Sequence, residues 1–115
     1  MGKVIDIQAS HNYNIIINDL GFEWDIVKNM INKKRHGISF ESAATAFFDV
    51  YGILLEDTSH SETEERFVLL GYSVENELLV VCHGCREDET IRIISARKAT
   101  KREKGEYRNY YEKRI

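Results

Sequence analysis

Three β-rich segments separated by short polar turns constrain the fold of this chain more than any other feature. The segments cover residues 66–73, 78–85 and 90–96, and four residues separate each from the next. Strands joined by turns this short pair with their neighbours in an antiparallel meander. Residues 51–55 have the same character and supply a fourth strand. The sequence therefore predicts a four-stranded antiparallel sheet.

Two helices are expected before these strands. Asp25 can cap the first helix, over residues 26–35, by accepting hydrogen bonds from free backbone amides, and Gly37 can end it. An apolar face of this helix is formed by Val27, Met30 and Ile31. Ser39 starts the second helix. The apolar stripe of the second helix comprises Phe40, Ala43, Ala44, Phe47 and Phe48.

A last helix is expected to run toward Arg114. Thr100-Lys101-Arg102-Glu103 has the form of a capping box, in which the Thr hydroxyl and the Glu carboxylate satisfy each other's backbone amides. The predicted fold class is thus α+β: two N-terminal helices, a four-stranded antiparallel sheet and a C-terminal helix. Residues 21–115 are predicted to form this one domain. Residues 1–20 form an N-terminal extension whose β-rich runs fit a hairpin, an added strand or a mobile arm.

Composition narrows the expected compartment and cofactor chemistry. A chain of 115 residues, 43% hydrophobic and 30% charged, suits one soluble domain. Its longest apolar runs, such as residues 78–82, are too short to cross a bilayer, and the start lacks a signal-peptide pattern, so a cytoplasmic location is expected. Cys82 and Cys85 lack a second pair of ligands at similar spacing. We therefore expect two reduced thiols, no metal and no cofactor.

Charge is segregated along the chain. The net charge of −3 alone disfavours nucleic-acid binding. Basic residues nevertheless concentrate in residues 28–35 and 97–114, with an acidic stretch at residues 56–65 between them. Such a chain can form a basic groove despite its acidic total. A solvated helix face explains each basic patch equally well when the patch is taken alone.

Strand parity brings several cations together. If the strands pair directly across their turns, His83 lies opposite Arg92 on one neighbouring strand and opposite Val68 on the other. Arg66 is two residues from Val68. Arg66, His83 and Arg92 then share one face, and Arg97 lies just beyond, near the start of the last helix. Arginine can hold a phosphate and histidine can move a proton, so this face predicts a phosphodiester site.

Each of these residues also has a purely structural interpretation. Arg66 follows Glu64 and Glu65 and can form a surface ion pair, and a lone histidine on a strand is more often structural than catalytic. We favour the functional interpretation because the charged side chains converge on one face beside a helix start.

Several motifs occur in a fixed order along residues 21–110. They are Phe22-Glu23-Trp24-Asp25, Lys34-Arg35-His36-Gly37-Ile38-Ser39-Phe40-Glu41, Asp57 with Ser59-His60-Ser61, Glu64-Glu65-Arg66-Phe67 and, most specific, residues 92–100 followed by Arg102-Glu103. Together they resemble one known family, the BrnT-type ribonuclease toxins of type II toxin–antitoxin systems. Their common order makes the resemblance far more specific than any single motif.

This resemblance implies a RelE-like fold, RNA cleavage without a metal, and a BrnA-like antitoxin whose DNA-binding part lets the complex repress its own promoter. The basic positions that match are Arg66, Arg92 and Arg97, with Lys34 and His36. His83 follows from parity alone.

The sequence thus predicts an endoribonuclease toxin that cleaves RNA by attack of the ribose 2′-OH. The predicted partners are RNA, a BrnA-like antitoxin that covers the basic sheet face, and DNA only through the antitoxin; no membrane is involved. The alternative is a non-catalytic RNA- or protein-binding module that acts as a co-repressor. Predicted catalytic residues are Arg66, His83, Arg92 and Arg97, and predicted RNA-binding residues are Lys34, His36, Lys98, Lys101 and Arg102.

Overall fold

The computed structural model describes residues 12–57 and 65–114. The β-rich run at residues 4–7 and most of the acidic stretch, at residues 58–64, lie outside the described residues. Within them the elements are, in chain order, β1 (Asn12–Ile17), β2 (Leu20–Asp25), α1 (Ile26–His36), α2 (Phe40–Thr45), a 3₁₀ turn (Ala46–Phe48), β3 (Ile53–Glu56), β4 (Phe67–Tyr72), β5 (Leu78–Cys85), β6 (Ile91–Lys98) and α3 (Lys101–Arg114).

The strands form one mixed sheet in the order β1-β2-β6-β5-β4-β3. The α+β class is confirmed, but the prediction of a four-stranded, wholly antiparallel sheet was wrong. The predicted strands do form an antiparallel meander, β3 to β6. Two further strands extend it, because β2 pairs with β6 in parallel and β1 pairs with β2 in antiparallel fashion.

A two-residue turn creates the additional hairpin. Asn18 and Asp19 connect β1 to β2 with φ angles of 48° and 68°. Tight hairpin turns of this kind need positive φ at both central residues, and Asn and Asp tolerate it better than other non-glycine residues. Residues 12–17, which the sequence assigns to the extension, are therefore an added strand of the same sheet.

The predicted ends of α1 are confirmed. The Asp25 carboxylate accepts hydrogen bonds from the backbone amides of Val27 at 2.8 Å and Lys28 at 3.1 Å. Gly37 ends the helix with φ of 74°, and its N–H donates to the Lys33 carbonyl at 2.8 Å. Glycine adopts this left-handed conformation without the steric cost of a Cβ.

Local capping also sets the starts of α2 and α3. Ser39 Oγ accepts from the Ser42 amide at 3.1 Å, and α2 gives way after Thr45 to the 3₁₀ turn. The predicted capping box is present: the Thr100 amide donates to Glu103 Oε1 at 2.8 Å, and the Glu103 amide donates to Thr100 Oγ1 at 3.2 Å. No helix within the described ranges has the length and apolar character needed to cross a membrane.

The two faces of the sheet are covered differently. One face packs on α1 and α2 around a main core. On the other face, a smaller cluster lies beneath α3 and consists of Ile53, Leu70, Leu78 and Tyr107. Val68 and Cys82 on this second face stay only half-buried, so α3 leaves part of the face open. The main core includes Phe22, Trp24, Phe40, Leu69, Leu79, Val81, Ile93 and Ala96.

Helix α1 packs with the side opposite to the one its pattern suggests. Val27, Met30 and Ile31 share a face, as predicted, but they are 42%, 66% and 49% exposed. The buried residue of the helix is Asn32, at 6%. The apolar side of α1 therefore faces away from the core.

Candidate functional site

A bulge in β6 decides which side chains face the open side of the sheet. Cys82 pairs with Ser95 but His83 pairs with Ile93, so Ile94 is an extra residue without a partner on β5. Ile93 and Ala96, three residues apart, consequently both point into the main core. Side chains alternate in a regular strand, and the extra residue reverses this alternation. The bulge thereby places both Arg92 and Arg97 on the open face.

The open face carries a depression of about 310 Å³, which we call the arginine groove. It combines two arginines, a histidine and a carboxylate with a half-buried apolar floor. Its lining residues are His36, Asp57, Arg66, Val68, Val80, Cys82, Ile94, Ser95, Ala96 and Arg97. The groove therefore brings together residues from the end of α1, both edges of the 58–64 segment, and strands β4 to β6.

Arg97 is held in the groove by a carboxylate from α3. Its two terminal nitrogens donate to Glu103 Oε1 and Oε2, both at 2.8 Å. These hydrogen bonds raise the pKa of Arg97 and, with those from Thr100, lower the pKa of Glu103 to about 2. The capping box and the bidentate ion pair share one carboxylate. The start of α3 and the position of Arg97 are thus fixed together.

Arg92 lies in a neighbouring depression of about 340 Å³, the Arg92 cleft, which shares Ile94 with the groove. Glu23 of β2 accepts hydrogen bonds from Arg92 at 2.8 Å and from Arg86 at 2.6 Å. The Glu23 side chain is only 13% exposed. Glu23 and Arg92 are direct partners in the parallel pair of β2 and β6. The N-terminal hairpin therefore supplies the counter-charge of Arg92.

Arg66 lies just before β4, on the rim of the groove beside Asp57. The Asp57 amide donates to the Arg66 carbonyl at 2.7 Å, which continues the pairing of β3 with β4. Arg66 and Arg97 thus line one groove, as the sequence predicts for two members of the proposed site. Arg92 shares the face but occupies the adjacent cleft.

His83 was predicted opposite Arg92, and this pairing was wrong. The structure pairs His83 with Ile93 and with Phe67, so each of the two predicted registers was off by one residue. His83 is 4% exposed, and its ring centroid lies 4.7 Å from that of Phe47. Burial lowers the pKa of His83, and Nδ1 is placed to donate to the Val81 carbonyl at 3.1 Å. A neutral, buried imidazole on the core face does not favour a proton-transfer role.

The remaining predicted residues divide by position. His36, the last residue of α1, lines the groove. Lys34, Lys98, Lys101 and Arg102 are exposed and lie outside the groove lining. Two of them form surface ion pairs, Lys98 with Glu77 at 3.2 Å and Arg102 with Glu106 at 3.5 Å. Surface pairs of this type contribute little to stability.

Two carboxylates of the site were not identified from the sequence. Asp57 was grouped with an acidic loop, and Glu23 was part of a motif without an assigned role. The sequence did contain a signal for Glu23: it stands between two aromatic residues, Phe22 and Trp24, and a strand period of two places it on the face opposite to theirs. The structure buries both aromatic residues, at 1% exposed. No comparable local signal places Asp57 beside Arg66.

A further cavity, of about 640 Å³, lies at the N-terminal hairpin and not at the arginines. Three carboxylates line it, from Asp19, Glu23 and Asp88. Negative charge makes this cavity unsuited to a phosphate. Within residues 12–57 and 65–114, no group of His, Cys, Asp and Glu side chains is arranged to hold a metal ion, and Cys82 and Cys85 form no disulfide.

The fold and the groove define a small α+β domain that gathers arginines on the partly uncovered face of its sheet. Such a surface suits the phosphodiester backbone of a nucleic acid. Residues 24–103 match the family described as the ribonuclease toxin, BrnT, of type II toxin–antitoxin systems. The match spans more than half of the chain, and the chain belongs to this family. No curated protein matches it.

Family membership confirms the resemblance identified from the sequence motifs. It places the chain among the ribonuclease toxins of type II systems, for which RNA is the substrate and an antitoxin is the partner. The match begins at Trp24 and therefore includes α1, the meander and the capping box, while β1 and most of β2 precede it.

Proposed function

We propose that this chain is an endoribonuclease that cleaves RNA without a metal ion, by attack of the ribose 2′-OH on the adjacent phosphate in the arginine groove. The observation that carries the proposal is that Arg66 and Arg97, from different strands, line one groove with His36 and Asp57. Arginine binds phosphate and stabilises negative charge that grows on it during displacement. The groove's own cations supply that stabilisation.

His36 and Asp57 are the groove residues that we assign to proton transfer. In-line displacement places the attacking 2′ oxygen and the leaving 5′ oxygen on opposite sides of phosphorus, so base and acid are separate groups. The Asp57 carboxylate takes the proton of the 2′-OH, and the His36 imidazolium donates a proton to the 5′ oxygen. The products are a 2′,3′-cyclic phosphate and a 5′-OH. In this assignment His36 takes the role that the sequence suggested for His83.

Arg97 keeps donors for a phosphate while it is held by Glu103. A guanidinium group has five N–H donors. Glu103 and the Lys98 carbonyl accept three hydrogen bonds from Arg97, which leaves two N–H groups for a phosphate oxygen. The ion pair fixes the side chain but leaves these two N–H groups available. Little conformational entropy of the Arg97 side chain is therefore lost when the substrate binds. Arg92, which donates one hydrogen bond to Glu23, lies where the next stretch of the RNA backbone would pass.

A BrnA-like antitoxin would neutralise the toxin by covering the groove, with DNA contacted only through the antitoxin. A second candidate function is a binding module without catalysis, which acts as a co-repressor with its DNA-binding partner. One observation favours it: Glu23 and Glu103 already neutralise Arg92 and Arg97. Cleavage and binding predict different fates for the RNA, so one assay separates them.

The test uses the purified chain, freed of antitoxin, with RNA in excess EDTA. We expect cleavage with cyclic-phosphate ends, and a loss of about 100- to 1,000-fold for Arg97→Ala, the usual effect of removing one donor to a developing oxyanion. His36→Ala should also remove most cleavage. Arg108→Ala, an exposed arginine on α3 outside the groove, is the matched control. Cleavage only after a divalent ion is added would refute the metal-free mechanism, and salt-dependent binding of intact RNA would favour the second candidate.

A further inference from the structure

Helix α1 presents an apolar face to the outside, and hydrogen bonds fix it in that orientation. Asn32 donates to the carbonyls of Ile38 at 2.9 Å and Ala96 at 2.8 Å and accepts from the Ala96 amide at 3.1 Å. Asn29 accepts from the Phe40 amide at 2.8 Å and donates to Glu41 at 2.9 Å. Turning the helix to bury its apolar side would break all of these bonds.

The outward face is broad enough to receive another helix. It consists of Ile26, Val27, Met30 and Ile31, which we call the outer α1 stripe, and all four side chains are exposed. Their spacing places them on adjoining rows of one helix face. Exposed apolar side chains are ordinary when single, but a contiguous group on an ordered helix marks an interaction surface.

The charge around the stripe specifies the chemistry of its partner. Helix α1 contains no Asp or Glu, and Lys28, Lys33, Lys34 and Arg35 surround the stripe or follow it. A partner that complements this surface carries apolar residues on one face and carboxylates along the borders of that face.

We propose that the outer α1 stripe is the docking site for an acidic amphipathic helix of the antitoxin. The partner class comes from family membership, while its placement on α1 goes beyond the proposed function. A helix of 11 residues is roughly 16 Å long. One such face is smaller than the ~800 Å² per partner that a stable interface usually buries, so the contact must continue beyond α1.

The arginine groove is the natural continuation of this surface. His36 ends α1 and lines the groove that contains Arg66 and Arg97. An antitoxin segment that leaves the outer α1 stripe and passes around the C-terminal end of α1 at His36 therefore reaches the groove. Carboxylates in that segment would meet the arginines, so docking on α1 and occlusion of the groove are two parts of one interface.

The test is affinity purification of the tagged chain, co-expressed with the protein encoded by the adjacent gene. The variant Met30→Glu/Ile31→Glu places two negative charges within the stripe, and Glu is a good helix former, so α1 is expected to stay folded. We expect at least tenfold less partner retained, with RNA cleavage by the isolated variant unchanged. Val50→Glu is the matched control, because Val50 is 83% exposed and lies outside α1.

Several results would overturn the proposal. One is full retention of the partner by the double variant, and another is no retention by the wild-type chain. If the double variant loses RNA cleavage but still retains the partner, the stripe binds RNA and not the antitoxin. A wild-type dimer that the double variant converts to a monomer would assign it to a second copy of the chain. Failure of the wild-type chain to cleave RNA would instead refute the proposed ribonuclease mechanism. The retention measurement would still test the docking site, because it does not depend on cleavage.

Discussion

Replacement of Asn32 by alanine should be among the most destabilising single changes outside the apolar core. The side chain is 6% exposed and makes three hydrogen bonds, two of them to the backbone of Ala96. At about 1 kcal/mol net for each bond, the loss is about 3 kcal/mol, and more if the Ala96 groups stay buried without partners. For a domain of this size, a loss of about 3 kcal/mol lowers Tm by roughly 10–20 °C.

Urea unfolding, followed by far-UV circular dichroism and by fluorescence of Trp24, measures this loss. Trp24 is the single tryptophan and is 1% exposed, so its emission reports the main core. Asn29→Ala is the matched control, since it removes two half-buried or exposed bonds and should cost about 1 kcal/mol. Asn32→Asp should destabilise more than Asn32→Ala, because an ionised carboxylate would face the two carbonyls of Ile38 and Ala96. A loss for Asn32→Ala no larger than that for Asn29→Ala, at unchanged m-value, would refute this reasoning.

Two further predictions concern the site. His83→Phe should keep RNA cleavage, since His83 packs against Phe47 and Phe67 on the core face, whereas a large loss of activity in a folded variant would return His83 to the mechanism. Glu103 has its pKa lowered from 4.5 to about 2, so its ion pair stabilises the fold above about pH 4.5 and this contribution is lost as pH falls toward 2. Wild type should be more stable than Glu103→Gln by about 1–2 kcal/mol at pH 7, after allowance for the exposure of the pair. In urea titrations this difference in unfolding free energy should shrink toward pH 2, and a constant difference across that range would contradict the assigned cause.

Features that depend on neighbouring residues were predictable from the sequence. The caps Asp25, Gly37 and Ser39 and the capping box at Thr100 each involve partners within four positions, and the structure contains all of them. Strand β5, at residues 78–85, was also placed correctly, because turns bound it on both sides. Arg66 and Arg97 line one groove, as the sequence suggested, although the strand registers from which this was argued were wrong.

Features that depend on distant residues were missed. The bulge at Ile94 has no local signature, and the register across each turn, which was misjudged by one residue, misplaced His83. The orientation of α1 is set by a hydrogen bond between Asn32 and Ala96, 64 residues apart, which outweighs the apolar pattern of the helix. A hairpin and an added strand were two of three alternatives for residues 1–20, and the sequence did not decide between them: Asn18-Asp19 is a recognisable turn, but the three consecutive isoleucines before it hide the alternation of a strand.

The parallel pairing of β2 with β6 has a kinetic consequence for synthesis of the chain. Phe22 pairs with Ile91 and Glu23 with Arg92, so the sheet cannot close until its last strand has been made. At about 5–20 residues per second, a ribosome needs roughly 3–14 s to extend the chain from the first partner to the second. Throughout that interval Phe22 and Trp24 have no β6 to pack beside, and contacts so far apart in sequence also form slowly afterwards. A nascent or truncated chain that stops before Ile91 therefore contains most of the residues of the groove but lacks strand β6, which completes it, so the site forms only when the whole domain folds.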